Sequence, residues 1–502
     1  MAIPAGLLDL FFALPKWQAY LGATIAAAFI WFVGSCIYNL YFHPLRHFPG
    51  PKLWAMSKVP YARVYTSGTG HRSILQLHKK YGDIVRIGPN SLSLSYPAAW
   101  NDVCGHRAQG QQENPKDPDF WRDHKHAIIS ANREDHARMR KILAHGFSAK
   151  AMQAQQPLIL RYVTMMTDKL KLAVREQQSQ NVVAWYNWTT FDVIGDLVFG
   201  EPFGCLDKTH YHPWVALIFE HIRGTALLAA LRKFPFAEQI KTMMMTKELT
   251  EKYNAHLALG RANVDKRLAY TEPRDDFLES LARAREKGLI SYEEILDTSE
   301  ISIVGGSETT ATALSGATYL LATNPDALKK LAEEIRTSFR HEDEIDLISV
   351  QRLKFLMAVI HESMRLYSPV PAGMPRRASE AGFMTARGEF VPPGTDLAIW
   401  QWSLFHNPKY FTDAEAFIPE RWMGDERFAG DKLDACQPFS VGPRNCIGKN
   451  LAYAEMRLIL ARMLWNFDIE LDPRSTNWFE RNEVFLLWEK PDLYIKLKER
   501  AL

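Results

Sequence analysis

Two segments stand out from the mixed alternation of apolar and polar positions along this 502-residue chain. Residues 17–42 contain no Asp, Glu, Lys or Arg, and 21–33 is almost wholly apolar, with Trp17, Tyr20, Tyr38 and Tyr41 towards the ends. At a rise of about 1.5 Å per residue such a run exceeds the roughly 20 residues that cross a bilayer, and aromatic rings belong at its interfaces. A cleaved signal peptide would carry a shorter apolar region and a small-x-small cleavage site. The second segment opens with Ser291-Tyr-Glu-Glu294, a capping box, and meets its next breaker at Asn324-Pro325. One helix of about 30 residues and roughly 45 Å is predicted between them. Residues 150–290 read as helical, whereas 390–395 and 484–487 read as short strands. The pattern predicts a mainly α fold with a small β portion (α+β), behind an N-terminal transmembrane helix.

Charge orients that arrangement. No acidic residue lies between Asp9 and Asp83, while Arg46, Lys52, Lys58 and Arg63 follow the span. The body should therefore be cytoplasmic, with the basic stretch against an anionic leaflet. His43-Pro44 and Pro49-Gly50-Pro51 predict a stiff hinge. The expected division is an anchor over 1–42, a Pro-rich hinge over 43–60 and one large domain over 61–502. The composition, 47% hydrophobic and 12% aromatic, continues through that domain without repeats. A net charge of +3 with no basic, aromatic-interleaved cluster argues against nucleic acid as a partner. Five cysteines without C-x-x-C spacing fit a reducing compartment, and the sequon Asn187-Trp-Thr189 should go unused on a cytosol-facing domain.

Candidate chemistry concentrates in 439–452. Gly442 and Pro443 predict a turn, and apolar residues recur at helical spacing from Ile447, so Cys446 falls where a loop enters a helix. The positive end of that helix favours a thiolate. Gly448 removes a side chain that would keep a flat cofactor from the backbone, and Arg444 is placed to meet an anionic group at its edge. The combination suits a haem held by cysteine; a buried free cysteine is the plainer alternative. A phosphate loop is excluded, because 442–449 holds one residue too many between its glycines and continues with Asn450 rather than Ser or Thr.

Inside the long predicted helix, Gly305-Gly-Ser-Glu308-Thr309-Thr310 is a poor helical run, costing about 1–2 kcal/mol in total. A local cost of this kind points to a functional site. The glycines leave room for a ligand, and the Thr309 hydroxyl can bond the Gly305 carbonyl. By themselves, Glu362-x-x-Arg365 is an ordinary helical ion pair and His136 with Arg140 a basic helix face. Residues 368–376 contain three prolines and must be extended. The apolar stretches 227–236 and 243–245 fit either core or a membrane-dipping lid, core being the simpler reading. His124 with His126, and His210 with His212, show H-x-H spacing without further metal ligands.

Phe439-x-x-Gly442-x-Arg444-x-Cys446-x-Gly448 resembles the haem-binding signature of the cytochrome P-450 family, in which a cysteine thiolate holds the iron. Further matching motifs follow the family's order over about residues 130–455. The resemblance implies the cytochrome P-450 fold and haem b, with Cys446 as metal ligand and Phe439, Gly442, Arg444 and Gly448 in the cofactor loop. It implies that Arg140, and His136 where the family carries Trp, meet one haem propionate, and that Arg376 meets the other. Glu308 and Thr309 match the oxygen-activation motif as acid and hydroxyl. Glu362, Arg365 and Arg421 match a buried structural network, and Val370, Ala372 and Met374 a strand lining the substrate cavity. Arg138, Lys141 and Lys449 would belong to a basic surface for an acidic electron donor.

The 41–52 segment resembles the hinge of microsomal members, especially fungal ones that oxidise secondary metabolites. The implied protein is a single-pass monooxygenase of the endoplasmic reticulum membrane acting on a small, largely apolar organic substrate. One atom of O2 enters the substrate and the other leaves as water. NADPH would supply electrons through a separate NADPH-cytochrome reductase, since no dinucleotide fingerprint is visible. A haem-thiolate isomerase or dehydratase, and a non-catalytic haem-binding sensor, are the rival readings; intact Glu308 and Thr309 favour oxygen chemistry.

Overall fold

The computed structural model describes residues 16–108, 111–122 and 125–500. The first apolar run forms one helix, Lys16–Tyr41, and its Tyr20–Tyr41 portion is long and apolar enough to cross a bilayer. Phe29, Ile30 and Trp31 are 66–70% exposed, so this stretch of the helix is left uncovered by the described residues and presents a surface suited to lipid. Its last turn is tied to the body: buried Arg86 donates from Nη1 to the Asn39 carbonyl at 2.8 Å, and Asn39 donates to the Met56 carbonyl at 3.3 Å.

The expected hinge is folded rather than free-standing. Pro44–His47 form a 3-10 turn and Lys52–Met56 a short helix, while Leu45 and Phe48 are buried among Leu92, Trp100 and Leu397. Proline stiffens the segment locally, but its apolar side chains dock it onto a four-stranded sheet. In that sheet Ile84–Gly88 pairs antiparallel with Ser91–Leu94, Ser91–Leu94 runs parallel to Asp396–Ala398, and Arg376–Arg377 closes the edge. A second, antiparallel sheet joins Ser179–Asn181, Tyr494–Glu499 and Phe467–Leu471. Helices make up most of the rest.

The predicted long helix is observed over Tyr292–Thr323, with the Ser291/Glu294 capping box closed in both directions. It crosses the main core as a central helix and packs along Val182–Phe199, whose side chains are almost all buried. Gly306 permits that approach, because a Cβ there would stand 2.6 Å from Ile194. The helices Lys354–Leu366 and Lys449–Asn466 pack against the same rod, so the motif-bearing elements share one core.

Several expectations need correction. Residues 484–487 are not one strand: Leu486, at φ 72°, turns the chain between Glu483–Phe485 and Leu487–Glu489, which pair as a hairpin. Of 390–395 only Phe390–Val391 is strand, paired with Phe383–Met384. The core reading of 227–236 holds for Ala229 and Ala230, whereas Phe236 is 71% exposed and the helix Ala237–Met244 buries none of its residues. A hydrophobic run does not reveal whether a neighbour will cover it. Asn187 is buried inside its helix and donates to the Tyr211 hydroxyl, so this fold leaves no room for a glycan there. His124 lies outside the described residues. His212 caps the helix Pro213–Leu231, and no group of His, Cys, Asp or Glu among the described residues is arranged to hold a metal ion.

Candidate active site

The loop before the helix Lys449–Asn466 closes on itself: Cys446 N–H donates to the Phe439 carbonyl at 2.9 Å and Asn445 N–H to the Gly442 carbonyl at 3.2 Å. Gly442 adopts φ 77°, and a Cβ there would lie 1.9 Å from the Cys104 carbonyl, so the turn needs glycine twice over. Gly448 has an ordinary φ and only Cys446 Sγ and the Phe147 ring, each at 3.9 Å, near a hypothetical Cβ. Its missing side chain leaves space beside the sulfur, as the sequence suggested. Phe439 packs on the Tyr453 ring.

Cys446 is exposed where Cys36, Cys205 and Cys436 are buried, yet desolvation by the surrounding protein raises its pKa. Together these place the thiol in a recess rather than on an outer surface. Desolvation acts against the anion, while the Gly448 amide and the charges of Arg140 and Lys449 favour it, as a helix start should. A metal ion bound to the sulfur would reverse that balance by deprotonating it.

Arg140, on the helix Arg133–Leu143, donates to both the carbonyl and the side-chain oxygen of Asn445, the residue preceding Cys446. His136, one turn earlier, is buried, and desolvation with the charges of Arg444 and Arg140 lowers its pKa to about 4, so it is neutral at physiological pH. The side chain of Arg444 is buried and grips Glu113 through Nε at 3.0 Å and Nη2 at 2.7 Å, while its Nη1 reaches the Ala131 carbonyl. Burial opposes ionisation of Glu113, but bonding to Arg444 and the fields of Arg376 and His136 prevail and lower its pKa. Arg376, buried on its edge strand, also pushes down the pKa of Lys116, after desolvation. The two cations Arg444 and Arg376 thus converge on one carboxylate, with neutral His136 nearby, whereas Arg140 is engaged with the cysteine loop. A pocket that already holds one carboxylate suits a cofactor with acidic edges. Neither Glu113 nor Lys116 carries a signal in the sequence, since both lie in an irregular stretch far from the cysteine motif.

On the central helix, Thr309 donates to the Gly305 carbonyl at 2.7 Å, as the spacing predicts. A Cβ at Gly305 would meet nothing within 4 Å, so this face opens into free space; of the two glycines only Gly305 leaves room for a ligand, Gly306 serving helix packing. Glu308 is buried on the neighbouring face and forms an ion pair with Lys490. Among the expected basic surface, Arg138 is consumed by Asp135 and Glu294, while Lys141 and Lys449 stay exposed.

The structural network is present and fully buried. Arg365 forks onto both oxygens of Glu362 at 2.9 and 2.8 Å, and Arg421 Nε reaches Oε1 at 2.9 Å. Trp422 Nε1 donates to Oε2 at 2.8 Å, and Arg421 is also paired with Asp431, a partner the sequence does not announce. The prolines keep 368–375 out of helix and strand; Ala372 is buried, with Val370 and Met374 half-buried.

A cysteine in a recess at a helix start, a basic pocket for carboxylates and an open-faced central helix define a haem-thiolate oxidoreductase. The family model for cytochrome P-450 matches residues 48–497. Trichothecene C-15 hydroxylase of Fusarium sporotrichioides is 44% identical over 472 residues, 92% of this chain and 95% of that protein. The cytochrome P-450 monooxygenase tpeC of Talaromyces stipitatus is 42% identical over 484 residues, covering 95% and 94%, and averantin hydroxylase of Dothistroma septosporum is 40% identical over 489 residues, covering 96% and 91%. The chain belongs to the cytochrome P-450 family. It is a monooxygenase, an oxidoreductase that incorporates oxygen from O2, and its relatives work in fungal secondary metabolism.

Proposed function

We propose that this enzyme hydroxylates a small, largely apolar secondary metabolite at the endoplasmic reticulum membrane, using electrons that a separate cytochrome reductase draws from NADPH. The carrying observation is the accessible Cys446 thiol in a closed loop, leading into a helix that packs on the same central helix whose Gly305/Thr309 face is open. Support for hydroxylation in secondary metabolism comes from two relatives, a trichothecene C-15 hydroxylase and an averantin hydroxylase, at 44% and 40% identity across nearly the whole chain. Residues 1–42 act as anchor, 43–60 as a packed connection, and 61–502 as the catalytic body.

Haem b, when bound, supplies the activation of O2. Cys446 would ligate its iron; Arg444, Arg376 and His136 would hold its carboxylates, with Glu113 giving way to them; Arg140 would keep the cysteine loop in place. Phe439, Gly442 and Gly448 shape the loop that carries the sulfur. Thr309 offers a hydroxyl at the open helix face, and Glu308 a carboxylate beside it, for passing protons inward. Lys141 and Lys449 remain exposed for an acidic electron donor.

The full chain reconstituted in lipid vesicles with NADPH-cytochrome reductase tests this. Carbon monoxide added to the reduced protein should give the thiolate-type red-shifted Soret band, lost in Cys446→Ala. NADPH oxidation should require both reductase and O2. Turnover of a substrate without either would instead favour an isomerase or dehydratase.

A further inference from the structure

The ion pair between Lys490 and Glu308 joins two segments that no local pattern connects. Lys490 follows the strand Leu487–Glu489 of the C-terminal hairpin, and the side chains of the pair are 3% and 2% exposed. Lys490 Nζ donates to Glu308 Oε1 and, at 2.8 Å, to Thr312 Oγ1; Thr312 donates to the same Oε1 at 3.3 Å. Oε2 is buried without a hydrogen-bond partner among the described residues. Tyr211 and Tyr367, on neighbouring elements, lie within the field of this carboxylate, and Lys490 is the one cation paired with it among the described residues. Glu308 and Thr312, four residues apart, share one face of the central helix, while Gly305 and Thr309 share the adjoining open face.

A buried carboxylate needs a counter-charge to stay ionised, and a free oxygen to exchange a proton. The pair supplies both: Oε1 is held, and Oε2 is left unbonded. We propose that Lys490 is the positioning residue for Glu308, holding it as a carboxylate by Oε1 and leaving Oε2 as the atom that takes and passes protons beside Thr309. This rests on the reading of Glu308 and Thr309 as proton-handling groups. The C-terminal hairpin then does more than complete a sheet, because its seating decides whether the acid is armed.

The test uses the full-length protein in vesicles as wild type, Lys490→Met, Lys490→Arg, Glu308→Gln and the Lys490→Met/Glu308→Gln double variant, with the carbon monoxide Soret band as a check of the site. Infrared difference spectra at about pH 7 should show a protonated-carboxyl band in Lys490→Met that is absent from wild type and from the double variant, because a lone buried carboxylate takes up a proton. That readout needs no turnover and stands even if the monooxygenase reading fails. With reductase and NADPH but no substrate, O2 takes two electrons and two protons to peroxide, or four of each to two waters, so the split reads proton delivery. The water-to-peroxide ratio should fall about tenfold in Lys490→Met, recover in Lys490→Arg, and be unaffected by Lys490→Met once Glu308 is Gln. Lys490→Gln replaces Lys490→Met if the latter does not hold haem. No new carboxyl band, a band that survives in the double variant, or an equal fall of the ratio in the Glu308→Gln background would each overturn the proposal.

Discussion

Arg140 holds Asn445 by both of its oxygens, Nη1 reaching the carbonyl at 2.6 Å and Nη2 the side chain at 2.5 Å. The residue before Cys446 is therefore fixed from a helix some 300 positions away in sequence. Only a planar guanidinium spans that pair of acceptors, so Arg140→Lys keeps the charge and loses one bond. Haem should dissociate about tenfold faster from the variant, measured by transfer to apomyoglobin. An unchanged rate would show that the fork does not steady the cysteine loop.

Glu362 gives a pH signature. Burial works against its ionisation, but Arg365, Arg421 and Trp422 overcome that and leave the carboxyl below its ordinary pKa. The folded-state value being the lower one, the stabilisation is present above the unfolded value of about 4.3 and is lost as pH falls through the folded value. Glu362→Gln leaves buried guanidinium groups without their anion and should cost about 3–5 kcal/mol in denaturant unfolding at neutral pH. It should also flatten the acid limb of stability against pH, since no carboxylate remains to titrate.

The two loop glycines should behave differently. At Gly442 a methyl group would collide with the Cys104 carbonyl and demand an unfavourable φ, whereas at Gly448 it would make ordinary 3.9 Å contacts. Gly442→Ala is expected to yield little soluble, haem-containing protein. Gly448→Ala should fold and instead perturb the sulfur's surroundings, read as a shifted Soret band. Equal yields of holoprotein from both would contradict this account of the loop.

Thr309→Ala removes the hydroxyl bonded to Gly305 on the open helix face. Loss of that local bond should change stability by about 1 kcal/mol or less. If the hydroxyl also serves proton delivery, the variant will hold haem normally yet release more hydrogen peroxide per NADPH consumed. Equal peroxide yields from the two proteins would leave Thr309 with a purely structural bond.

Much of the site can be read locally. The capping box at Ser291, the turn at Gly442 and the Thr309 bond to Gly305 involve atoms within four residues of one another, and each is observed as the spacing implies. Glu362 and Arg365 pair one helical turn apart, though the spacing could not reveal that the pair would be wholly buried. The hinge and the lid-or-core question turn on which apolar face finds a cover, and a run of apolar residues is the same in either case. The direction of the Cys446 pKa depends on how much protein surrounds the sulfur, which outweighs the helix terminus beside it.

Periodicity, capping and turn chemistry act over a few bonds, so the chain alone carries the N-terminal apolar helix, the central helix and the cysteine loop. The partners are another matter. Glu113 meets Arg444 across 331 positions and Lys490 meets Glu308 across 182, and a single charged residue in a loop or strand has no pattern that names its opposite. Those pairs exist because helices and hairpins packed around one core bring the charges into the same low-dielectric space. There an unpaired ion is costly enough that burial, rather than sequence proximity, selects its partner.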